Sequence, residues 1–403
     1  MGSGFVPAMQ GRPKLTPSLT HLSPGSQLTF ALDRGSHRAE MEWQVDGVEG
    51  GNEEVGTISG GVYSPPRETE RMEHVIAAHM PGAEVEYAWA TVILGESAPE
   101  YRYLGFWNRK GNGEDQLAES HGIAIEPPGT LLIADPIRAR VLRFTQDGEY
   151  LGEIGGGKGT EPGTFDGPRD IDVAPTGEIY VVDGNKCQVQ VFDPSGELLR
   201  CWGHEGREED ALLRPHSISL SPRGDVFIAD VENSRVVVYD RSGEPLTCWG
   251  RRGTERGEFL APHGVAADPN GDVFVAEFDG RCQKFTPRGE FLLEFADEGP
   301  RSPPEDELIG GEPKTIQHGH FRYHNIACDR WGNVYLMARD TRGGYFPSID
   351  KYNNTGEFVT RFTVPDDLGR GLGAKAAAIS PAGRVFVADT NRDYAGVATF
   401  EPT

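Results

Sequence analysis

Positive charge is scarce in this sequence. There are 39 lysines and arginines against 62 aspartates and glutamates, which gives a net charge of -23 at pH 7. Nucleic-acid-binding surfaces need clustered lysine and arginine to neutralise phosphates, and anionic membrane surfaces attract the same residues. The composition therefore argues against nucleic acid and against anionic membranes as partners.

Cysteine is also scarce. The five cysteines (Cys187, Cys201, Cys248, Cys282 and Cys328) are odd in number and show no paired CxxC spacing. This pattern argues against a disulfide framework and against a cysteine-based zinc site. We expect mostly buried free thiols, which fit a reducing compartment and slightly favour the cytoplasm.

Long apolar runs and an export signal are not found either. No run reaches the length of a membrane span. The opening MGSGFVPAMQ lacks the basic and then apolar pattern of a signal peptide. We expect residues 1–16 to form a flexible leader, and the oligomeric state stays open.

Turn residues, in contrast, are abundant. The 53 glycines and 29 prolines make up about a fifth of the chain, which favours tight turns over long helices. Between Leu212 and Gly250 three short apolar runs, followed by a weaker one ending at Trp249, are separated by Gly, Pro and Asn. This pattern predicts a four-stranded antiparallel sheet.

The same pattern recurs along the last three quarters of the chain. Six copies align on a turn glycine, at Gly129, Gly177, Gly224, Gly271, Gly332 and Gly383. The sixth copy ends after its third strand. The segment around Trp107 matches the missing outer strand, because Trp107 lies 14 residues before His121 as Trp202 lies before His216. We predict an all-β fold in which residues 100–403 form a six-bladed β-propeller closed by the strand 101–109.

The repeats carry a defined motif. Its second-strand signatures are LLIAD, IYVVD, VFIAD, VFVAE, VYLMA and VFVAD, followed by N-x-R in copy three and by a G-E turn in several copies. This sequence pattern resembles the NHL repeat family of β-propellers. The carboxylates that end the second strands are expected to accept turn N–H groups; they are Asp135, Asp183, Asp230, Glu277 and Asp389. Copy five departs from the pattern through insertions at 297–318 and 339–347, which we interpret as a lid or rim.

Residues 17–97 differ from the repeats. Strand-like runs with alternating pattern are joined by Gly-rich turns, and Trp43 falls on a central strand without an accompanying cysteine. The run WQVDGVEGGNEEVGTISGGVYSPP resembles bacterial immunoglobulin-like domains, which carry W-x-V-(N/D)-G and then G-x-I and G-x-Y-x-x-P. The resemblance implies a β-sandwich that spaces or presents the repeat region and carries no chemistry.

One position in the repeats is always basic or imidazole. Two residues before the first apolar residue of each innermost strand stand His121, Arg169, His216, His263, His324 and Lys375. In a propeller this position opens the strand nearest the axis, so the six side chains should converge at one mouth of the channel. We call them the ring residues.

Three ring histidines form a candidate metal site. Alternate blades of a six-bladed ring lie about 120° apart, and such blades carry His121, His216 and His324. Neutral imidazoles suit zinc, iron or copper. We expect one transition metal ion, with zinc favoured, and His263 as a fourth ligand or a neighbouring acid/base group; structural calcium is a further option. The alternative is that these histidines hold neighbouring blades together by hydrogen bonds.

The local sequence around these residues also resembles that of the peptidyl-hydroxyglycine α-amidating lyases, in which histidines of three blades bind zinc. The matching runs include SHGIAI at 120–125 and RPHSISLSP at 214–222. The resemblance implies His121, His216 and His324 as ligands. Where that family has a catalytic tyrosine and an arginine, this chain has Asn185 with Lys186, and Val231. We therefore expect a metal-centred reaction other than α-amidation.

Three further residues are candidates for catalysis. Arg169 and Lys375 would orient a carboxylate or other anion, unless Asp170 neutralises Arg169 through a salt bridge. Tyr323, like His318 or His320 of the insertion, is a candidate for proton transfer. We predict a metal-dependent enzyme, lyase-like or oxygen-using, acting on a small anionic or peptide-like substrate. The alternatives are a non-catalytic scaffold that binds protein or glycan, and a calcium-dependent hydrolase or lactonase, which would need an Asn- and carboxylate-lined centre.

Overall fold

The computed structural model describes residues 14–23, 26–32, 41–67, 72–79, 87–95, 99–296, 308–309, 312–313, 321–340, 347–365, 373–391 and 393–403. Every regular element in these residues is a β-strand, so the all-β class is confirmed. None of them forms a helix with the length and hydropathy that a membrane crossing needs. The chain divides into two compact units, the first comprising Met1–Pro99 with Asn353–Thr355 and Thr403, the second Glu100–Tyr352 with Gly356–Pro402.

The first unit is built from two main sheets. Its strands are β1 (Leu15–Thr16), β2 (Leu19–Leu22), β3 (Leu28–Thr29), β4 (Ala31–Leu32), β5 (Glu42–Val45), β6 (Val48–Glu49), β7 (Gly51–Asn52), β8 (Gly56–Ser59), β9 (Val62–Ser64), β10 (Glu73–His79) and β11 (Tyr87–Leu94). One sheet has the order β2-β11-β10-β5-β6, the other β3-β9-β8-β7, and β1 pairs with β4.

A single apolar cluster joins these two sheets. It includes Val45 of β5, Ile58 of β8 and Val92 of β11, all buried. Because successive strand residues point to opposite faces, these side chains mark the inward face of each sheet. Two sheets around one core form a sandwich-like unit. Its closer assignment to the immunoglobulin-like class stays a prediction.

The W-x-V-D-G motif has a local structural reason. Asp46 and Gly47 both have positive φ, 51° and 82°, which Asp and Gly tolerate better than other residues. The Asp46 carboxylate accepts the Val75 N–H and a hydrogen bond from His74 Nδ1, each at 2.7 Å. The turn is therefore fixed to β10.

The second unit begins with β12 (Tyr101–Asn108) and contains six four-stranded antiparallel sheets. Sheet one has β13 (Ile123–Glu126), β14 (Thr130–Asp135), β15 (Arg140–Phe144) and β16 (Tyr150–Ile154). Sheet two has β17 (Pro168–Val173), β18 (Ile179–Asp183), β19 (Gln188–Phe192) and β20 (Leu198–Trp202). Sheet three has β21 (Pro215–Leu220), β22 (Val226–Asp230), β23 (Arg235–Tyr239) and β24 (Pro245–Trp249), as the repeat pattern predicts.

The last three sheets repeat this plan. Sheet four has β25 (Pro262–Ala267), β26 (Val273–Glu277), β27 (Cys282–Phe285) and β28 (Phe291–Phe295). A short hairpin of β29 (Leu308–Ile309) and β30 (Glu312–Pro313) follows in sequence. Sheet five has β31 (Phe321–Cys328), β32 (Val334–Asp340), β33 (Pro347–Tyr352) and β34 (Phe358–Phe362). Sheet six has β35 (Ala374–Ile379), β36 (Val385–Thr390), β37 (Ala395–Pro402) and β12.

The six sheets follow one another around an axis. The first strands contact in the order β13, β17, β21, β25, β31 and β35, and β35 in turn contacts β13. Six apolar clusters lie between successive sheets, and one of them joins sheet six to sheet one through Phe386 and Leu142. This arrangement is propeller-like, with the first strand of each sheet innermost.

The N-terminal strand of this unit pairs with its C-terminal strand. β12 runs antiparallel to β37, from Tyr101 opposite Pro402 to Asn108 opposite Gly396. At Gly396 an added Cβ would lie 1.9 Å from the Trp107 carbonyl oxygen, so the close approach requires glycine. The pairing satisfies backbone groups that an open edge would leave exposed.

A carboxylate at the end of the second strand holds the loop that leads into the first strand. Each carboxylate accepts a backbone N–H from that loop, which confirms the structural role predicted for it. The pairs are Asp135 with Ala118, Asp183 with Asp166, Asp230 with Leu213, Glu277 with Leu260 and Asp389 with Gly373. The ring residues therefore follow an anchored loop.

Some predicted features lie outside the described residues. The insertion at 297–318 lies there apart from β29 and β30, as does most of 339–347, so a lid or rim role for them stays a prediction. The leader up to residue 13, His318 and His320 also lie outside. All five cysteines are free, and Cys187 and Cys282 are buried.

Candidate metal centre

A β-bulge occurs at the ring residue of the first strands. In sheet two, Pro168 and Asp170 pair with consecutive residues of β18, so Arg169 between them has no partner. The corresponding irregularities fall at His216, His263, Lys375 and between Tyr323 and Ile326. A bulge takes one residue out of the in-and-out alternation and redirects its side chain.

His121 reaches the same position in a slightly different way. It precedes β13, and its N–H donates to Ala134 O at 3.0 Å while the Ala134 N–H donates to Gly122 O at 2.9 Å. Two consecutive residues therefore face Ala134, as in a bulge. The repeated irregularity explains why the ring position lies just before the regular apolar pattern of each strand.

Three of the ring histidines lie together. One nitrogen from each of His121, His216 and His324 lies within 4.8 Å of the other two. The ring centroids form a nearly equilateral triangle, with separations of 5.0, 5.2 and 5.3 Å. These histidines come from sheets one, three and five, so alternate sheets supply them.

Hydrogen bonds fix the tautomer of each imidazole. Nδ1 of His121 bonds to Arg169 O at 2.8 Å, Nδ1 of His216 to His263 O at 3.0 Å, and Nδ1 of His324 to Lys375 O at 3.1 Å. A carbonyl oxygen only accepts, so each Nδ1 carries the proton and each Nε2 keeps its lone pair. Metal-binding histidines are oriented by this kind of contact.

Electrostatics keep the imidazoles neutral. Burial lowers the pKa of His121 well below its ordinary value, and Lys375 and Arg169 lower it further. Burial likewise lowers the pKa of His216 and His324 well below the ordinary value, with neighbouring histidines adding to the effect. Neutral imidazole is the form that binds a metal ion.

The donor set therefore fits a transition metal ion. Three neutral imidazole nitrogens are the protein ligands of one common class of open zinc site, and they suit iron and copper as well. Zinc ligands lie about 2.0–2.1 Å from the ion, so the three donors need to approach one another by side-chain rotation to share it.

His263 lies beside this group without belonging to it. Its ring centroid is 3.6 Å from that of His216 and 5.1 Å from that of Phe278. Its Nδ1 bonds to His324 O at 2.8 Å. Burial lowers the pKa of His263 to about 4. The His263 imidazole thus packs between His216 and Phe278 and contacts the face of the His216 imidazole.

Lys375 and Arg169 bring positive charge to the site. Lys375 Nζ lies 3.4 Å from Nε2 of His324 and 3.8 Å from the carboxylate of Glu119. The Arg169 side chain runs beside Gly184. Within the part of the chain that the structure describes, no acceptor binds its guanidinium.

Asp170 does not neutralise Arg169, so the salt-bridge alternative is wrong. The bulge turns the two side chains in different directions, and the buried Asp170 carboxylate accepts Ser217 Oγ–H at 2.7 Å instead. Burial raises the pKa of Asp170 to about 7.

Tyr323 is turned away from the histidines. Its hydroxyl donates to Ala296 O at 3.2 Å, and its ring lies in the apolar cluster between sheets four and five. Burial raises the pKa of the Tyr323 hydroxyl well above its ordinary value. This position does not support the predicted proton transfer by Tyr323.

A cavity of about 280 Å³ occupies the channel next to the ring residues. Its walls are formed by the first strands of the sheets, and the acidic side chains that reach it are Asp170 and Asp172. The ring alignment did not single out these carboxylates. Asp170 lies one residue after the ring position and Asp172 three residues after it. At these two positions most other copies have small residues, so a carboxylate there is a signal that the sequence contains.

The repeats are confirmed by comparison with known proteins. The NHL repeat profile matches residues 165–192 and 212–239, which cover parts of sheets two and three. No curated protein sequence matches the chain. The resemblance to α-amidating lyases stays a prediction.

Solved structures give distant similarities. The chain is similar to virginiamycin B lyase from Staphylococcus aureus (13% identity, 75% of this chain and 88% of that chain, TM-score 0.47) and to a streptogramin B lyase (12%, 75% and 98%, 0.48). It is also similar to a gluconolactonase from Xanthomonas campestris (15%, 76% and 95%, 0.49). Likeness at this level carries no argument about activity.

Proposed function

We propose that this chain is a metal-dependent enzyme, lyase-like, with its centre at the mouth of a six-bladed propeller. His121, His216 and His324 would hold the ion, and a small anionic or peptide-like molecule would be the substrate. The observation that carries the proposal is the convergence of three imidazoles, two buried and one partly buried, whose Nδ1 atoms are already bonded, which leaves the Nε2 lone pairs for one ligand.

The surrounding residues have separate roles in this proposal. A bound zinc, iron or copper ion supplies a Lewis acid that polarises a substrate oxygen or acidifies a water molecule. Arg169 would orient a substrate carboxylate through its planar guanidinium. Lys375 would attract the same anion and would have to leave Nε2 of His324 before that nitrogen binds a metal. His263 would keep the His216 ring in place.

The charge distribution supports an anionic substrate. The chain carries a net charge of -23, yet Arg169 and Lys375 both depress the pKa of His121, so positive potential is concentrated at the ring. Focused potential of one sign in a cleft raises the local concentration of oppositely charged molecules. A small anion therefore gains most from this site.

One observation favours a second candidate, a non-catalytic scaffold that binds protein or glycan. His263 makes the same bond to the next sheet as the other three histidines, although its nitrogens do not join the three-histidine group. Holding adjacent sheets together is therefore a sufficient reason for a histidine at this position. In this reading no metal ion is needed.

Metal analysis of the purified full chain separates the two candidates. The enzyme proposal expects about one zinc, iron or copper ion per chain, and expects a His121→Ala/His324→Ala variant to lose it. His204→Ala is the matched control, since His204 is exposed and lies in the loop after β20. Substoichiometric metal in the wild type, with metal uptake unchanged in the double variant, would overturn the proposal in favour of the scaffold.

Turnover is tested with a panel of small carboxylates and short peptides. Metal-dependent cleavage should disappear with a chelator and return with zinc, iron or copper. A chain that binds its ion stoichiometrically but turns over no member of the panel, and binds none of them, would reduce the proposal to a structural metal site.

A further inference from the structure

A second layer of side chains lies directly behind the ring residues. The residues that follow them are Gly122, Asp170, Ser217, Gly264, Asn325 and Ala376. Asp170, Ser217 and Asn325 are all buried. Each of these three belongs to a different sheet, and two of them directly follow a predicted ligand, because Ser217 follows His216 and Asn325 follows His324.

The Asp170 carboxylate joins these residues. Its Oδ2 accepts Ser217 Oγ–H at 2.7 Å, Asn325 Nδ2–H at 3.3 Å and the Ile218 N–H at 3.3 Å. Ser217 Oγ in turn accepts the Val265 N–H at 3.2 Å. One oxygen therefore links sheet two with sheets three and five, and Ser217 extends the network to sheet four.

Two glycines make room for this network. A Cβ on Gly122 would lie 2.5 Å from Asp170 Cα and 2.8 Å from its Oδ1. A Cβ on Gly264 would lie 2.7 Å from Asn325 Oδ1. Glycine thus occupies the two positions that the Asp170 and Asn325 side chains approach most closely. Small residues and polar side chains therefore fit together in this layer, and they come from sheets one to five.

We propose that Asp170 is a positioning residue for the three-histidine centre. Its carboxylate fixes the backbone next to His216 and His324 through Ser217 and Asn325. The carbonyl of Arg169, its neighbour in the same bulge, holds Nδ1 of His121 at 2.8 Å. One side chain therefore sets the mutual placement of all three imidazoles. The inference rests on the metal centre proposed above.

The energetic reason lies in the bulges. A bulged residue has no ladder partner, so its backbone is less restrained than its neighbours. Hydrogen bonds to a buried charged or polar group are strong and directional, and here they replace the missing ladder contacts. Groups that orient metal ligands from behind typically change metal affinity by 10- to 100-fold when removed.

The test uses the purified full chain loaded with cobalt(II) as the probe metal. For Asp170→Ala we expect cobalt affinity to fall by about 10- to 100-fold, measured against a competing chromophoric chelator. The visible absorption bands of the bound ion should also shift, since ligand geometry changes. Asp170→Asn, whose amide oxygen can take the place of Oδ2 as the acceptor, should recover most of the affinity and the wild-type spectrum.

Asp172→Ala is the matched control. Asp172 is a second channel carboxylate on the same strand, and it accepts the Leu220 N–H at 2.7 Å, away from the ligand-bearing bulges. Its removal should lower thermal stability without changing cobalt affinity or spectrum. Should Asp170→Ala fail to fold, Ser217→Ala removes the shortest bond to Asp170 and is expected to change the spectrum in the same direction.

Two results have different meanings. If wild-type protein binds no cobalt, the proposed metal centre fails. If wild type binds cobalt but Asp170→Ala, or Ser217→Ala in its place, gives the same affinity and spectrum as wild type, the centre stands and the positioning role of Asp170 is overturned. Loss of affinity in Asp172→Ala equal to that in Asp170→Ala would also overturn it.

Discussion

Nζ of Lys375 lies 3.4 Å from Nε2 of His324, the nitrogen that keeps its lone pair because the proton is on Nδ1, which is bonded to the backbone carbonyl of Lys375 itself. The same lysine thus orients the imidazole with its carbonyl and blocks it with its ammonium. An incoming cation competes with that ammonium for the lone pair and is repelled by its charge.

Removing the ammonium should therefore tighten metal binding. For Lys375→Met we expect zinc affinity to rise by at least about 10-fold, measured by competition with a chromophoric chelator. Lys186→Met is the control, since Nζ of Lys186 is bonded to the carbonyls of Glu161 and Thr164 on a surface loop. Unchanged affinity in Lys375→Met would show that the ammonium does not oppose the ion.

Substitutions of His263 decide whether it is a ligand. Its ring packs on His216 at 3.6 Å but lies outside the three-histidine group. We expect His263→Phe to keep this packing and to bind zinc within about 3-fold of wild type, and His263→Ala to lose up to about 10-fold. His216→Ala should lose far more. A loss in His263→Phe as large as in His216→Ala would make His263 a fourth ligand.

The sequence predicts the architecture because the same weak strand and turn pattern occurs in six copies. One strand pattern between Leu212 and Gly250 is ambiguous, but six copies at matching positions identify the turns and second strands. The position of Trp107 relative to His121 indicated the outer strand that pairs with β37, since the same spacing occurs inside the other copies. Side-chain periodicity and turn residues were sufficient for this level.

The sequence predicts only part of the candidate site. Alignment brought the ring residues into one column, and three of the histidines do lie together. The sequence does not predict where the side chains next to the ring residues point, because a bulge redirects side chains without a clear sequence signal. The sequence therefore suggests Asp170 as a salt-bridge partner of Arg169 and Tyr323 as a group at the centre, whereas both side chains are turned elsewhere.

Arg169 should control the binding of anions. No described acceptor binds its guanidinium, so a bidentate bond to a carboxylate displaces no internal partner. For Arg169→Gln we expect affinity for benzoate, a simple carboxylate probe, to fall by about 10- to 100-fold while metal content stays at the wild-type level. Isothermal titration of benzoate into the metal-loaded chain measures the affinity, and elemental analysis measures the metal content. Arg223→Gln is the control, and equal benzoate binding in Arg169→Gln would exclude this role.

Protonation of Asp170 should make stability depend on pH. Burial raises its pKa from 3.8 to about 7, so the folded chain keeps a proton there that the unfolded chain releases above about pH 4. Stability should therefore fall as pH rises from about 4 to about 7. In metal-free protein the wild type should lose on the order of 4 kcal/mol relative to Asp170→Asn over this range, measured by urea denaturation at each pH. Parallel pH curves for the two proteins would contradict the assignment.

Closure of the second unit depends on the contact between Gly396 and β12. A Cβ at Gly396 would lie 1.9 Å from the Trp107 carbonyl oxygen, so Gly396→Ala has to displace β12 from β37. We expect a loss of more than about 2 kcal/mol and a matching drop in thermal midpoint. Gly156→Ala is the control, because its nearest contact is an ordinary 3.4 Å to Thr164 Cγ2. Equal thermal midpoints for the two variants would show that pairing at β12 does not hold the unit closed, since only one of the two substitutions disturbs it.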